Sequence, residues 1–279
     1  MATNKFGVKS MAKLTIRGIE TNVEVWNEAA ERVVVALHGF TGSTATWRNL
    51  ANELQNVKIV AIDLIGHGKT IAPEKTSRYG MNEQLKDLDE IFMQLGLDKF
   101  TLLGYSMGGR IALSYAIEYP ERIEKLILES ASPGLRTSKE CIERCERDNK
   151  LADLIEMNGL TSFVDAWENI PLFESQKRLP ESVRQEIRTE RLTQCESGLA
   201  GSLRGIGTGM QPSNWLFLAQ IDIPVLLITG SMDEKFCKIA TDMTALCKNA
   251  QHVIVNDVGH AIHVENPAEF ATIVKKYLM

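Results

Sequence analysis

Gly104-Tyr105-Ser106-Met107-Gly108 sets a serine between two glycines, a spacing suited to a nucleophile or a proton carrier. Alone, a GxSxG pentapeptide is weak evidence. Here it falls between a strand-like run at residues 100–103 and a helical pattern over 108–119 that Pro120 stops. A tight turn at such a junction lifts a serine hydroxyl clear of a sheet, and small residues at both ends permit it. Serine is reactive only beside a base, and the base needs an acid to fix its tautomer. In proteins built on such an elbow the chain order is serine, acid, histidine. His260 follows Val258-Gly259 in a loop directly after a strand-like run. His252 begins that run and His263 leads into the last helix, so both suit structural roles. Asp233 sits in the loop after the strand 223–229, whereas Asp222 lies at the opposite end of that strand and Asp257 is too close to His260. The predicted relay is therefore Ser106, Asp233 and His260. An oxyanion would be held by the backbone N–H of Met107 and by that of Phe40, in the loop His38-Gly39-Phe40-Thr41-Gly42. His38 stands at a strand end, a position that fits loop-fixing rather than catalysis.

These side chains need a frame, and the hydropathy pattern supplies one. An opening antiparallel pair is predicted at 13–19 and 23–26, followed by buried strands at 32–37, 58–63, 100–103, 123–128, 223–229 and 252–255. Helical patterns alternate with them: 82–95, with Leu85, Leu88, Ile91, Phe92 and Leu95 on a 3.6-residue period, then 108–119, 238–247 and a last helix from Pro267. That rhythm predicts an α/β fold, a mostly parallel sheet with helices on both faces. It breaks over 136–211, which holds only helical periodicity and a glycine-rich stretch. Residues 1–135 and 212–279 thus read as one core, and 136–211 as an inserted helical cap.

Composition bounds the partners. At 279 residues, 44% apolar and 24% charged, the chain is globular, and a net charge of −5 excludes the basic stripe of a nucleic-acid binder. No apolar run reaches membrane-spanning length, so no membrane insertion is expected. The N-terminus is polar, without the apolar core of an export signal, which together with the cysteine usage predicts a cytoplasmic protein. The five cysteines form no CxxC and no zinc-finger spacing, so neither a metal nor disulfides are expected.

His-Gly-Phe, Gly66-His67-Gly68, GYSMGG, the Asp233 loop and Val-Gly-His together resemble the α/β-hydrolase superfamily across nearly the whole chain. Within it, Gly104 to Arg110 matching GYSxGGR, Pro133-Gly134-Leu135 and Glu265-Asn266-Pro267 resemble the MenH family, the 2-succinyl-6-hydroxy-2,4-cyclohexadiene-1-carboxylate synthases of menaquinone biosynthesis. The resemblance implies a carbon–oxygen lyase that eliminates pyruvate from 2-succinyl-5-enolpyruvyl-6-hydroxy-3-cyclohexene-1-carboxylate, a small tricarboxylate, without a cofactor. It implies substrate contacts from Arg110, Arg144, Arg191, Trp167 and Tyr105, with Arg188 a competitor for the place of Arg191. A labile substrate also implies transient contact with neighbouring pathway enzymes. The insertion carries 8 of the 14 arginines and only 3 of the 17 lysines, a bias that suits bidentate carboxylate recognition or, alternatively, i,i+4 pairing with glutamates. The rival reading is a serine hydrolase acting on a small acidic substrate.

Overall fold

The computed structural model describes residues 9–279. The expectation that the N-terminus carries no export signal rests largely on residues 1–8, outside that range. Among the described residues eight strands form one sheet in the order β1-β2-β4-β3-β5-β6-β7-β8: β1 (Lys9–Ile16), β2 (Ile19–Trp26), β3 (Val33–Leu37), β4 (Lys58–Ile62), β5 (Phe100–Tyr105), β6 (Ile123–Glu129), β7 (Val225–Gly230) and β8 (Ala250–Val255). From β4 through β8 all pairings are parallel, while β1–β2 and β2–β4 are antiparallel.

The side-chain period of two distributes each strand between two cores. Val35, Leu37, Val60, Ile62 and Leu102 face α2 (Met81–Gln94) and α3 (Met107–Glu118). Val34, Ala36, Ile59, Ala61, Leu103 and Ile127 face α1 (Arg48–Glu53) and, beyond the cap, the C-terminal helix. Because both faces are covered, strands such as VVVAL read as unbroken apolar runs.

Between β6 and β7 the described residues contain no strand. The chain runs through α4 (Ser138–Trp167), α5 (Glu181–Leu192) and α6 (Glu196–Ile206), and α4 and α6 gather a small core of their own from Ala152, Ile155, Phe163, Val164, Leu199, Ala200 and Leu203. Thr137 and Glu140 form a reciprocal capping box that starts α4. Gly159, at φ 81° and ψ 167°, breaks that helix, and Glu196 accepts from the Leu160 N–H at 2.8 Å, recapping the second half. The glycine-rich stretch seen in the sequence lies mostly in α6. There Gly198 and Gly201 let the helix approach Gly66 and Tyr79 more closely than any Cβ would allow. After β7 come α7 (Glu234–Leu246), then α8 (Ile262–Glu265) and α9 (Pro267–Leu278).

Two boundaries differ from the sequence reading by more than two residues. The opening hairpin turns at Arg17-Gly18, not between residues 19 and 23. Both turn residues take positive φ, 46° and 84°, the two-residue geometry that matches strand twist. Helix α7 begins four residues earlier than predicted, because the Asp233 carboxylate caps it by accepting from the Phe236 N–H.

Candidate active site

Ser106, Asp233, His260 and Phe40 all lie just beyond the carboxyl ends of parallel strands, β5, β7, β8 and β3 respectively. This is the end of an open α/β sheet where sites form. Ser106 has φ 48° and ψ −105°, a backbone that side-chain-bearing residues seldom adopt. The flanking glycines make the turn feasible. A Cβ on Gly104 would lie 2.4 Å from the Gly108 carbonyl oxygen, and one on Gly108 would lie 2.3 Å from that of Leu37. His260 Nε2 is 3.0 Å from Ser106 Oγ, and its Nδ1 is 2.6 Å from Asp233 Oδ2. His260 and Asp233 are both buried, so this relay is shielded from water. The loop carrying His260 is tied down where Gly259 N–H donates to Glu265 Oε2 at 2.8 Å. Met107 opens α3, so its N–H lies outside the helical ladder, and neither it nor the Phe40 N–H donates to an acceptor among the described residues.

The remaining histidines are structural in their contacts. His38 is fully buried: Nε2 accepts from the Leu64 N–H at 3.0 Å while Nδ1 lies 2.7 Å from the Gly39 carbonyl. Burial lowers its pKa to about 4, so it holds the Phe40 loop as a neutral ring. His67, in the Gly-His-Gly turn, is lowered to about 3, by burial first and then by His38. His263 meets the buried Glu129 at 2.9 Å, and His252 bonds Thr229.

Ser106 opens into a cavity of two continuous lobes. The inner lobe, about 160 Å³, is apolar and aromatic, with Phe40, Trp167 and Phe173 on its walls. The outer lobe, about 630 Å³, is ringed by charge, including Arg136, Arg147, Glu143 and Glu234. Ser106, Arg110, Arg144, Lys235 and Phe236 line both and so mark the neck. Arg110 comes from the elbow helix, buried, with Nη1 donating to the Ile206 carbonyl at 2.7 Å. Burial and then the neighbouring Arg144 lower its pKa to about 10. Arg144 descends from α4. Its Nε is anchored on Asp148 Oδ1 at 2.8 Å, which leaves the two Nη groups for another acceptor.

The expected substrate-contacting residues do not all meet in this cavity. Trp167 lines the inner lobe, in contact with Phe40, Phe163 and Phe173, and its buried indole N–H has no hydrogen-bond partner among the described residues. Tyr105 lines it too, its hydroxyl pKa pushed well up by burial and then by Glu129. Arg191, by contrast, is not brought beside Arg110 and Arg144. It opens onto an adjoining cleft that shares Phe40, Tyr105 and Phe173 with the cavity, and its guanidinium lies 4.8 Å from the Phe173 ring centroid. Arg188 is committed to Asp165 at 2.6 Å and Glu168 at 2.7 Å. Of the other cap arginines, Arg184 and Arg204 also pair with acids, and Arg136 stacks on Trp215. Among the described residues no His/Cys/Asp/Glu cluster could hold a metal ion.

Sequence reasoning missed Lys235, Phe236 and Phe173. A signal existed for the first: a lysine in the first turn of a helix opposes the helix dipole, a placement that invites a reason. Phe173 gave no signal, because only the packing of the cap brings it to the inner lobe.

A serine relay at the carboxyl edge of a parallel sheet under a helical cap defines the α/β-hydrolase class, and residues 32–267 match the family model described as alpha/beta hydrolase fold. A Bacillus subtilis (strain 168) protein named, with a provisional qualifier, 2-succinyl-6-hydroxy-2,4-cyclohexadiene-1-carboxylate synthase is 51% identical over 89% of this chain and 91% of its own. The synthase of that name from Enterobacter sp. (strain 638) is 31% identical over 88% of this chain and 91% of its own. The solved structure of MenH from S. aureus superposes with a TM-score of 0.87 at 35% identity, covering 97% of both chains. The chain belongs to the α/β-hydrolase family and, within it, to the 2-succinyl-6-hydroxy-2,4-cyclohexadiene-1-carboxylate synthases.

Proposed function

We propose that this protein is a carbon–oxygen lyase that eliminates pyruvate from 2-succinyl-5-enolpyruvyl-6-hydroxy-3-cyclohexene-1-carboxylate in menaquinone biosynthesis, with residues 136–211 serving as a cap over the site. The observation that carries the reading is the union of an intact serine relay with a neck of cations at the mouth of an aromatic cavity. A generic esterase needs the first of these; a tricarboxylate needs both.

In this mechanism His260 draws the Ser106 proton as Ser106 Oγ takes the C–H proton beside the succinyl ketone. Asp233 keeps the Nδ1 proton in place and stabilises the imidazolium that forms. The resulting enolate oxygen is held by the N–H groups of Phe40 and Met107. Collapse of the enolate shifts the ring double bond and breaks the carbon–oxygen bond. The proton on His260 passes to the departing oxygen, and the released enol becomes pyruvate, so no proton is gained or lost overall. Arg110 and Arg144 bind substrate carboxylates at the neck, and Trp167 and Tyr105 line the pocket for the ring. Arg191 acts on that pocket from behind Tyr105 and Phe173. No metal or organic cofactor takes part in these steps.

The test is direct. With the enolpyruvyl substrate the protein should release pyruvate in step with the ultraviolet band of the conjugated diene. Hydrolysis of simple esters together with no release of pyruvate would favour a serine hydrolase instead.

A further inference from the structure

Lys235 sits at the neck, yet the mechanism above gives it no task. Asp233 is the N-cap of α7, so the contact that places the relay acid also places Lys235 two residues on. Its ammonium lies 5.5 Å from the Phe236 ring centroid, and that ring meets the His260 ring at 4.6 Å. One aromatic ring thus separates the lysine from the relay histidine, and it lines the same opening as Arg110 and Arg144.

Its surroundings are electrostatically adverse. It occupies the positive end of a helix dipole. Crowding around the ammonium, then the charge of Arg144, with Arg147 adding, lowers its pKa, and only Asp233 opposes them. That carboxylate is already spent on His260 and the Phe236 N–H. Among the described residues Lys235 has no salt-bridge partner, whereas Lys238, one turn along, pairs with Asp242 at 3.4 Å. Lys235 is itself exposed at the opening, where water screens these charges, and a carboxylate bound at the neck would supply the close partner it lacks.

We propose that Lys235 is a specificity-determining residue of the same reaction, binding one carboxylate of the substrate at the neck between the lobes. The inference rests on the functional reading above. Arg110 and Arg144 offer flat, pre-oriented forks; a lysine offers a point charge on a flexible stem, able to follow a carboxylate that shifts as the carbon–oxygen bond breaks.

The experiment compares Lys235→Gln and Lys235→Arg with the unaltered protein in steady-state kinetics, calorimetric titration with tricarballylate, and thermal melting. Lys235→Gln should raise KM by about 5- to 50-fold, with kcat changed less than about threefold, and weaken tricarballylate by a similar factor. Lys235→Arg should restore both to within about threefold. The melting temperature of Lys235→Gln should be unchanged or higher, since a repulsive cation has gone. Unchanged KM and tricarballylate affinity in Lys235→Gln would overturn the proposal. So would a lowered melting temperature with loss of kcat alone, the mark of a structural lysine. If the unaltered protein releases no pyruvate, the functional reading fails by itself, and the tricarballylate titration still decides whether Lys235 binds carboxylates.

Discussion

The sheet edge and the cap both contribute to one cavity, but they hold their side chains by different means. Ser106 and Asp233 leave strands buried on both faces, His260 leaves the part-exposed edge strand β8, and their loops are fixed by contacts to the backbone: the elbow glycines, the Asp233 cap on α7, and the Gly259–Glu265 bond. The cap presents Arg144 through one side-chain pair with Asp148, on a helix interrupted at Gly159. Its small core is separate from those of the sheet. Bond-making atoms need placement within fractions of an ångström, and backbone provides that. Recognition of a mobile polyanion tolerates, and release of product benefits from, a softer support.

The largest effect should come from the rigid half. Ser106→Ala and His260→Ala are expected to lower kcat by several orders of magnitude while thermal melting stays within a few degrees of the unaltered protein. A residual acceleration of roughly 10³–10⁴ over water should survive from the oxyanion hole and binding. Near-normal turnover in either variant would break the division of labour.

Next in size is an acid effect confined to the sheet side. His38 has an ordinary pKa of 6.5 that burial lowers to about 4, so between those values the unfolded chain takes up a proton that the folded chain refuses. Its contribution to stability is complete above pH 6.5 and is lost as the pH falls towards 4, on the order of 3 kcal/mol. Urea unfolding across that window should show the loss, and His38→Gln should lessen the slope, leaving the share that buried His67 contributes. An equally steep slope in the variant would assign it to other groups.

Changes to the neck should be milder and selective. Alanine at Arg110 or Arg144 is expected to lower kcat/KM by about 10- to 150-fold, the worth of a charged hydrogen bond. Arg178, whose contact is with Met232, and Arg188, paired outside the cavity, serve as controls expected to change it less than about threefold. Equal losses at all four would mean that these arginines act only through folding.

Smallest of all, Gly159→Ala should soften the cap alone. At φ 81° and ψ 167° an alanine is strained by roughly 1–3 kcal/mol. Hydrogen exchange should rise in α4 and α6 but not in β5 or β7, with kcat/KM down only a few-fold. Faster exchange throughout the sheet would show that cap and core unfold together.

How much of this was legible beforehand follows the same division. The relay could be read because each member sits beside a local signal: a glycine-framed serine at a strand-to-helix junction, an acid after an apolar strand, a histidine after a glycine. The sheet's central parallel strands β3, β5 and β7 could be read because burial on both faces leaves them almost continuously apolar. The Arg17-Gly18 turn was misplaced because the alternation of residues 13–19 continues through it, and only the pairing of Ile16 with Ile19 reveals the reversal.

The sequence by itself determined the chemistry on offer, since chain order and glycine spacing constrain the backbone within a few residues. The tertiary structure decided who meets whom across the cavity. Arg144 enters the neck and Arg191 an adjoining cleft, though both were candidates for the same pocket. Phe173 forms a wall shared by both, and Lys235 lines the cavity that holds the serine. Those outcomes depend on how a kinked helix and a glycine-faced one settle on the sheet. They join residues dozens of positions apart, and neither periodicity nor spacing encodes such contacts.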